Sequence, residues 1–181
     1  MHAEDETLLV QRSLRGDTRA FGELVGRYQH VLYNVALRML NDREDARDVT
    51  QTAFLKAWSR LDTFDQGNKL FSWLYRILMN EALNQRRGRR REEPLEEDLV
   101  APGRSPEDRV AEGELGEIVR QGLMELCADH REVIVLRHFH HLSHREIGEL
   151  VGLPEKTVKS RLYTARQVLG GILRKRGIGP V

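Results

Sequence analysis

The sequence holds one cysteine, Cys127, in 181 residues. That excludes an intrachain disulfide and a cysteine-rich zinc site. A lone cysteine of this kind is expected to be a small apolar core residue. Aromatic residues are scarce at 6 %, and three of the five prolines fall within 88–107. No apolar run approaches the roughly 18 residues of a membrane span, so no membrane insertion is expected. The start, Met1-His2-Ala3-Glu4-Asp5-Glu6, is acidic and lacks the basic and apolar stretches of a secretory signal. Together these absences make the cytoplasm the expected location. Strand signals are nearly missing: there is no sustained β-branched alternation and no Asn-Gly or Asp-Gly hairpin cue. No HExxH motif, phosphate-binding glycine loop or Ser/His/Asp set occurs, so no enzyme activity, cofactor or metal is expected.

What the chain has is helical periodicity. Phe21, Leu24, Val25, Tyr28, Val31, Leu32, Val35, Ala36 and Met39 follow three-and-four spacing and share one face. Gly16-Asp17 marks a break between a short first helix and this long one. Asp42 can cap a third helix whose stripe is Ala46, Val49, Ala53, Phe54, Ala57, Trp58 and Leu61. Residues 62–69 form a loop, and a fourth helix is predicted over about Leu70–Arg87. Periodicity then stops, and residues 88–107 collect prolines, arginines and glutamates. Such a stretch buries little apolar surface and is expected to be a flexible linker. A second helical set follows. Val110, Ile118, Val119, Leu123 and Leu126 lie on one helix, and Asp129 is the expected cap of the next. Ser143 three residues before Glu146 is a capping box. Val151-Gly152-Leu153-Pro154 is a tight turn that puts proline first in a last helix, ending near Arg176. The expected fold is all-α: domains at 1–90 and 108–181, joined by a flexible acidic linker at 91–107. The second domain contains a helix-turn-helix.

A formal charge of +1 hides segregation along the chain. Residues 69–91 carry +6, residues 92–129 carry −9 and residues 154–181 carry +6. Two basic zones flanking an acidic one suggest a polyanion touched at two places. The last helix begins with Lys156, Thr157, Lys159, Ser160, Arg161, Tyr163, Thr164 and Arg166, cations and hydroxyls suited to a major groove. The fourth helix interleaves Trp73, Tyr75, Arg76, Asn80, Asn84, Arg86 and Arg87, rings and amides suited to unstacked bases. Solvated basic faces and core aromatics would explain both patterns without DNA.

Asp48-Val-Thr-Gln51-Thr-Ala-Phe54-Leu-Lys56-Ala-Trp58, Phe71-Ser-Trp73-Leu-Tyr-Arg76-Ile and Asn80 resemble the second conserved region of bacterial sigma factors. Leu153-Pro154, Thr157-Val158-Lys159-Ser160-Arg161-Leu162 and Ala165-Arg166 resemble the fourth. With no other region between them, residues 5–177 resemble the compact extracytoplasmic-function (ECF, group 4) sigma factors. That resemblance implies binding to core RNA polymerase, through its β and β′ subunits, and to promoter DNA. It also implies an anti-sigma partner.

The resemblance puts Asp48, Gln51, Phe54 and Trp58 at a polymerase-docking helix. Asp48 and Gln51 are the expected surface contacts, with Phe54 and Trp58 serving mainly as core. It makes residues 62–69 the loop that captures a flipped −10 base, whose extrusion costs about a few kcal/mol. Lys69, Trp73, Arg76, Asn80 and Asn84 then hold the −10 element, with Arg86 and Arg87 expected on phosphate. Arg137, Lys156, Thr157, Lys159, Ser160, Arg161, Tyr163, Thr164 and Arg166 are the expected −35 contacts. Lys156 and Thr164 depart from residues common in the family, so the −35 preference is expected to differ. The competing class is a two-domain helix-turn-helix regulator that binds DNA without polymerase. A metal-dependent enzyme built on His138, His140, His141 and His144 would need a paired carboxylate, which that loop lacks; a polar loop beside DNA is the plainer account.

Overall fold

Short polar residues decide where the helices begin. The computed structural model describes residues 3–92 and 106–178, with side chains for 6–85 and 115–178. Its chain divides into two units, Met1–Pro94 and Leu95–Val181, and every described element in both is helical.

In the first unit, α1 (Ala3–Leu14) ends before Asp17, the N-cap of α2 (Thr18–Leu40). Asp17 Oδ1 accepts from the backbone N–H of Arg19 at 3.0 Å and of Ala20 at 3.2 Å. Its other oxygen accepts from Arg12 Nη2 at 2.7 Å, which ties the end of α1 to the start of α2. The Arg12 hydrogen bond, then the capped Ala20 N–H, hold the Asp17 carboxyl below the ordinary carboxylate range. Asn41, left-handed at φ 62°, ends α2, and Asp42 caps α3 (Arg43–Ser59) by accepting from Asp45 N–H at 2.9 Å. A 3-10 turn, Leu61–Thr63, leads through the 64–69 loop to α4 (Leu70–Glu92).

The expected apolar stripes form the core: Leu24, Leu32 and Val35 of α2, Val49, Ala53 and Phe54 of α3, and Leu70, Leu74 and Leu78 of α4 are all buried. Each such leucine stabilises the unit by about 1.5–3 kcal/mol. Two polar links fix α4 to α3: Gln85 Nε2 donates to Asp45 Oδ1 at 2.7 Å, and Lys56 pairs with Glu81 at 2.7 Å. The Tyr28 hydroxyl donates to Glu6, pinning α1.

In the second unit, α5 (Pro106–Glu125), α6 (Ala128–His138) and α7 (His144–Val151) all pack on α8 (Glu155–Lys175). Ser143 and Glu146 form the expected capping box at α7. Gly152, at φ 72°, closes α7 and permits the sharp turn into α8. Gly148 is required for a different reason. A Cβ there would lie 2.5 Å from the Leu153 carbonyl oxygen, so the turn can fold back only over a bare α-carbon.

Several expectations need correction. α4 continues past Arg87 to Glu92 and α5 begins at Pro106, so both ends of the segment assigned to the linker are helical. Its middle, 93–105, lies outside the described residues. Asp129 does not cap α6: Cys127 holds that position with no side-chain cap bond, and Asp129 turns to Arg161 of α8 at 3.1 Å. Cys127 is therefore exposed rather than a core residue. Pro154 precedes α8 as its N-cap instead of opening it.

Candidate nucleic-acid and partner interfaces

The first candidate surface is a groove of about 610 Å³ between α2 and α3. Phe21 and Val25 of α2 face Gln51, Phe54, Leu55 and Trp58 of α3 across it. Phe21 and Trp58 rings meet at 4.9 Å, and Phe54, only 7 % exposed, forms the floor. Asp48 and Gln51 are exposed on the open side of α3. Gln51, Phe54 and Trp58 thus share one lining, whereas Asp48 stands beside it. Leu55, absent from the expected set, is 63 % exposed at the rim. Its signal in the sequence was an apolar residue off the Ala46–Ala57 stripe. A mostly apolar trough with a polar rim suits a partner helix better than an anion.

The second surface runs along α4. Lys69, Trp73, Arg76, Asn80 and Asn84 recur every three or four residues and so line one face. Over 15 residues at 1.5 Å rise they span about 22 Å, roughly six nucleotide steps at 3.4 Å. Lys69, Arg76, Asn80 and Asn84 are exposed. Trp73 is half-buried, its ring 5.4 Å from that of Phe64, and Phe64 anchors the preceding loop in the core. Asp65 gives that loop its shape: Oδ1 accepts from Gly67 N–H at 3.0 Å and Oδ2 from the Asn68 amide at 2.9 Å. Tyr75 is 1 % exposed and belongs to the core instead. The backbone at Arg86 and Arg87 is helical, but their side chains lie outside the described residues.

The third surface is α8. Val158, Leu162 and Ala165 are buried, which turns Lys156, Ser160, Tyr163, Thr164 and Gln167 to solvent on the opposite side. Tyr163 is 67 % exposed. Gln167, an uncharged residue outside the expected cation-and-hydroxyl set, completes the open stripe. The Ser160 and Thr164 hydroxyls donate to the Thr157 and Ser160 carbonyls at 3.0 and 3.2 Å, leaving oxygen lone pairs outward.

The other predicted cations are partly engaged. Lys159 pairs with Glu155 at 2.7 Å, and Arg161 sits half-buried against Asp129. Arg137 donates to the Leu142 carbonyl at 2.8 Å and so holds the α6–α7 connection. Arg166 Nε donates to His138 Nε2 at 3.2 Å. Burial, then Arg166 and Arg137, push the His138 imidazole below its ordinary range. Among the described residues no three His, Cys, Asp or Glu side chains gather into a metal-holding group.

Known proteins match this layout unit by unit. A family model described as Sigma-70 region 2 fits residues 24–92, and one described as Sigma-70, region 4 fits residues 116–169. Those two regions in that order define a sigma-70-type chain. The sequence is 33 % identical over 177 residues to the ECF RNA polymerase sigma factor SigW of Bacillus subtilis, covering 91 % of this chain and 95 % of that protein. It is 34 % identical over 176 residues to the ECF RNA polymerase sigma-E factor of Escherichia coli K12, covering 91 % and 92 %. Among solved structures it is similar to CnrH, seen in complex with the cytosolic domain of CnrY, at a TM-score of 0.72 and 29 % identity over 94 % of this chain and 98 % of that one. It is also similar to the sigma factor RpoE of Bartonella quintana, seen with the anti-sigma factor NepR, at a TM-score of 0.67 and 28 % identity over 85 % and 96 %. The chain belongs to the ECF RNA polymerase sigma factor family.

Proposed function

We propose that this chain is the promoter-specificity subunit of a cytoplasmic RNA polymerase holoenzyme, itself without catalytic activity, serving a stress- or envelope-type regulon. The observation that carries it is the pairing of two sigma regions with an open polar face on each. Residues 1–90 act as the region 2 domain, 91–107 as linker and 108–181 as the region 4 domain. The α2–α3 groove takes a helical element of core polymerase, with Asp48 and Gln51 as polar contacts and Phe54 and Trp58 as apolar ones.

Along α4, Lys69, Trp73, Arg76, Asn80 and Asn84 hold the −10 element as the duplex parts, with Arg86 and Arg87 on its phosphates. Extruded bases gain from stacking and amide contacts what they lose on leaving the duplex. On α8, Lys156, Thr157, Ser160, Tyr163 and Thr164 face the −35 major groove, while Lys159, Arg161, Arg166 and Arg137 flank it. Since NepR binds a relative of this fold, an anti-sigma protein that covers these surfaces is the expected regulator.

Reconstitution with core polymerase tests this directly. The full chain should co-elute with core enzyme and support transcription from a promoter that core alone ignores. A protein that footprints DNA alone and never co-elutes with core would instead be a two-domain helix-turn-helix regulator.

A further inference from the structure

Arg166 of α8 and His138 at the end of α6 form a link in which the acceptor carries no charge. Arg166 lies on the flank of α8, beside the open stripe, where a duplex in the major-groove pose presents phosphates rather than base edges. His138 takes only its Nε–H. Arg166 is exposed and no hydrogen bond from its two terminal nitrogens is seen among the described residues, which leaves the paired donors that grip a phosphate.

Resting on the assignment of α8 to DNA, we propose that His138 is a positioning residue: as a neutral acceptor it orients Arg166 into a phosphate clamp without cancelling its charge. A carboxylate in its place would orient the guanidinium equally well but neutralise it, as Asp129 does to Arg161. An imidazolium would lose the acceptor lone pair altogether. The surroundings keep the ring neutral. Arg137 on its own helix, His141 in the connection and Arg166 on α8 all disfavour a proton there, and burial adds to them.

The test uses the full chain and a fluorescein-labelled 30-base-pair duplex of mixed sequence, titrated from about 50 to 300 mM KCl. Each phosphate neutralised contributes about −0.9 to the slope of log K against log salt. Arg166→Ala should flatten the slope by about 0.9. His138→Ala should weaken binding about 3- to 10-fold, the ordering cost of one long side chain, while keeping most of the slope. His138→Gln, whose amide oxygen also accepts, should restore affinity. His138→Glu should flatten the slope as Arg166→Ala does. Below the imidazole's lowered range, wild-type affinity should lose the positioning gain, and His138→Gln should lack that component. An unchanged slope in Arg166→Ala, or equal losses in His138→Ala and His138→Gln, overturns the clamp. If Lys156→Ala and Lys159→Ala flatten the slope in that case, the DNA face of α8 stands and only the clamp falls. If they too leave it unchanged, the assignment of α8 to DNA fails as well.

Discussion

Arg131→Met removes a fully buried side chain of the second unit that donates to three backbone carbonyls. Arg131 has no exposed surface, yet carries a charge. Its Nε donates to the Leu123 carbonyl at 2.8 Å, and Nη2 to those of Met124 at 2.7 Å and Leu126 at 3.0 Å. These are carbonyls of the last turn of α5 and the residue after it, where helix geometry runs out of i+4 donors; Leu123 alone among them also accepts from a backbone N–H, that of Leu126 at 3.2 Å. The cation also sits at the negative end of the α5 dipole. Charge-assisted hydrogen bonds are worth about 1.5–3 kcal/mol each, but burying a guanidinium costs several kcal/mol. Methionine keeps the volume but leaves the Met124 and Leu126 carbonyls without the guanidinium, while the Leu123 carbonyl keeps the Leu126 N–H at 3.2 Å, so a net loss of about 2–5 kcal/mol is expected. With a urea m-value of about 1–3 kcal/mol/M, that lowers the midpoint of the second unit by about 2 M. Trp58 and Trp73 are the only tryptophans, and both lie in the first unit. Tryptophan fluorescence should therefore keep its midpoint, while hydrogen exchange of α5–α8 amides reports the loss. A loss below about 1 kcal/mol, or equal shifts by both probes, refutes the account.

Gly148→Ala drives a methyl into the Leu153 carbonyl oxygen at 2.5 Å and should cost the helix-turn-helix about 1–3 kcal/mol, read by exchange of α7 and α8 amides. Thr164→Arg should alter −35 sequence preference in a binding selection, with co-elution with core polymerase unchanged; an equal loss of core binding would contradict the placement of this face. The Asp17 cap has a carboxyl held below its unfolded value near 3.8, so its stabilisation is present above that pH and disappears as pH falls through the lower folded value. Asp17→Asn should therefore remove part of the acid-side decline in melting temperature and leave the neutral-pH dependence alone.

The helices were legible because their signals are local. Apolar spacing, Asp42, and the Ser143–Glu146 box each act within one turn, and the two sigma regions were legible as motifs. What the sequence hid depends on partners distant along the chain. Asp129 resembles an N-cap until Arg161, 32 positions later, is seen to claim it. Cys127 has a core residue's composition, but it stands at the N-cap of α6 with its thiol exposed, and the buried side chain one turn on is Arg131. Tyr75 and Trp73 both suit stacking, yet two helical positions put them about 200° apart, so Tyr75 falls in the core and Trp73 stays half-buried beside Phe64. Leu55 shows the converse: an apolar residue becomes informative only once the groove beside it exists.

The same distant pairing changes what the basic zones mean. Seven cations against Glu155 over residues 154–181 suggest six charges for DNA, or a salt slope of about −5. Pairing shrinks that. Arg161 is half-buried against Asp129, and Arg176 Nε donates to Glu125 at 3.0 Å. Arg174 and Lys175 stand 18 residues or more beyond Lys156, about 27 Å along the axis from the end proposed to enter the groove. Lys159 does have a partner, Glu155, but both are exposed, and salt or a phosphate displaces such a pair readily. On the proposed placement of α8, Lys156, Lys159 and Arg166 are therefore the cations expected to meet phosphate. Replacing these three with alanine should flatten the slope on the mixed-sequence duplex by about 2.7, while replacing Arg174, Lys175 and Arg176 should leave it nearly unchanged. Equal flattening by the two triple variants would mean that the whole basic zone, rather than the first three turns of α8, meets the DNA.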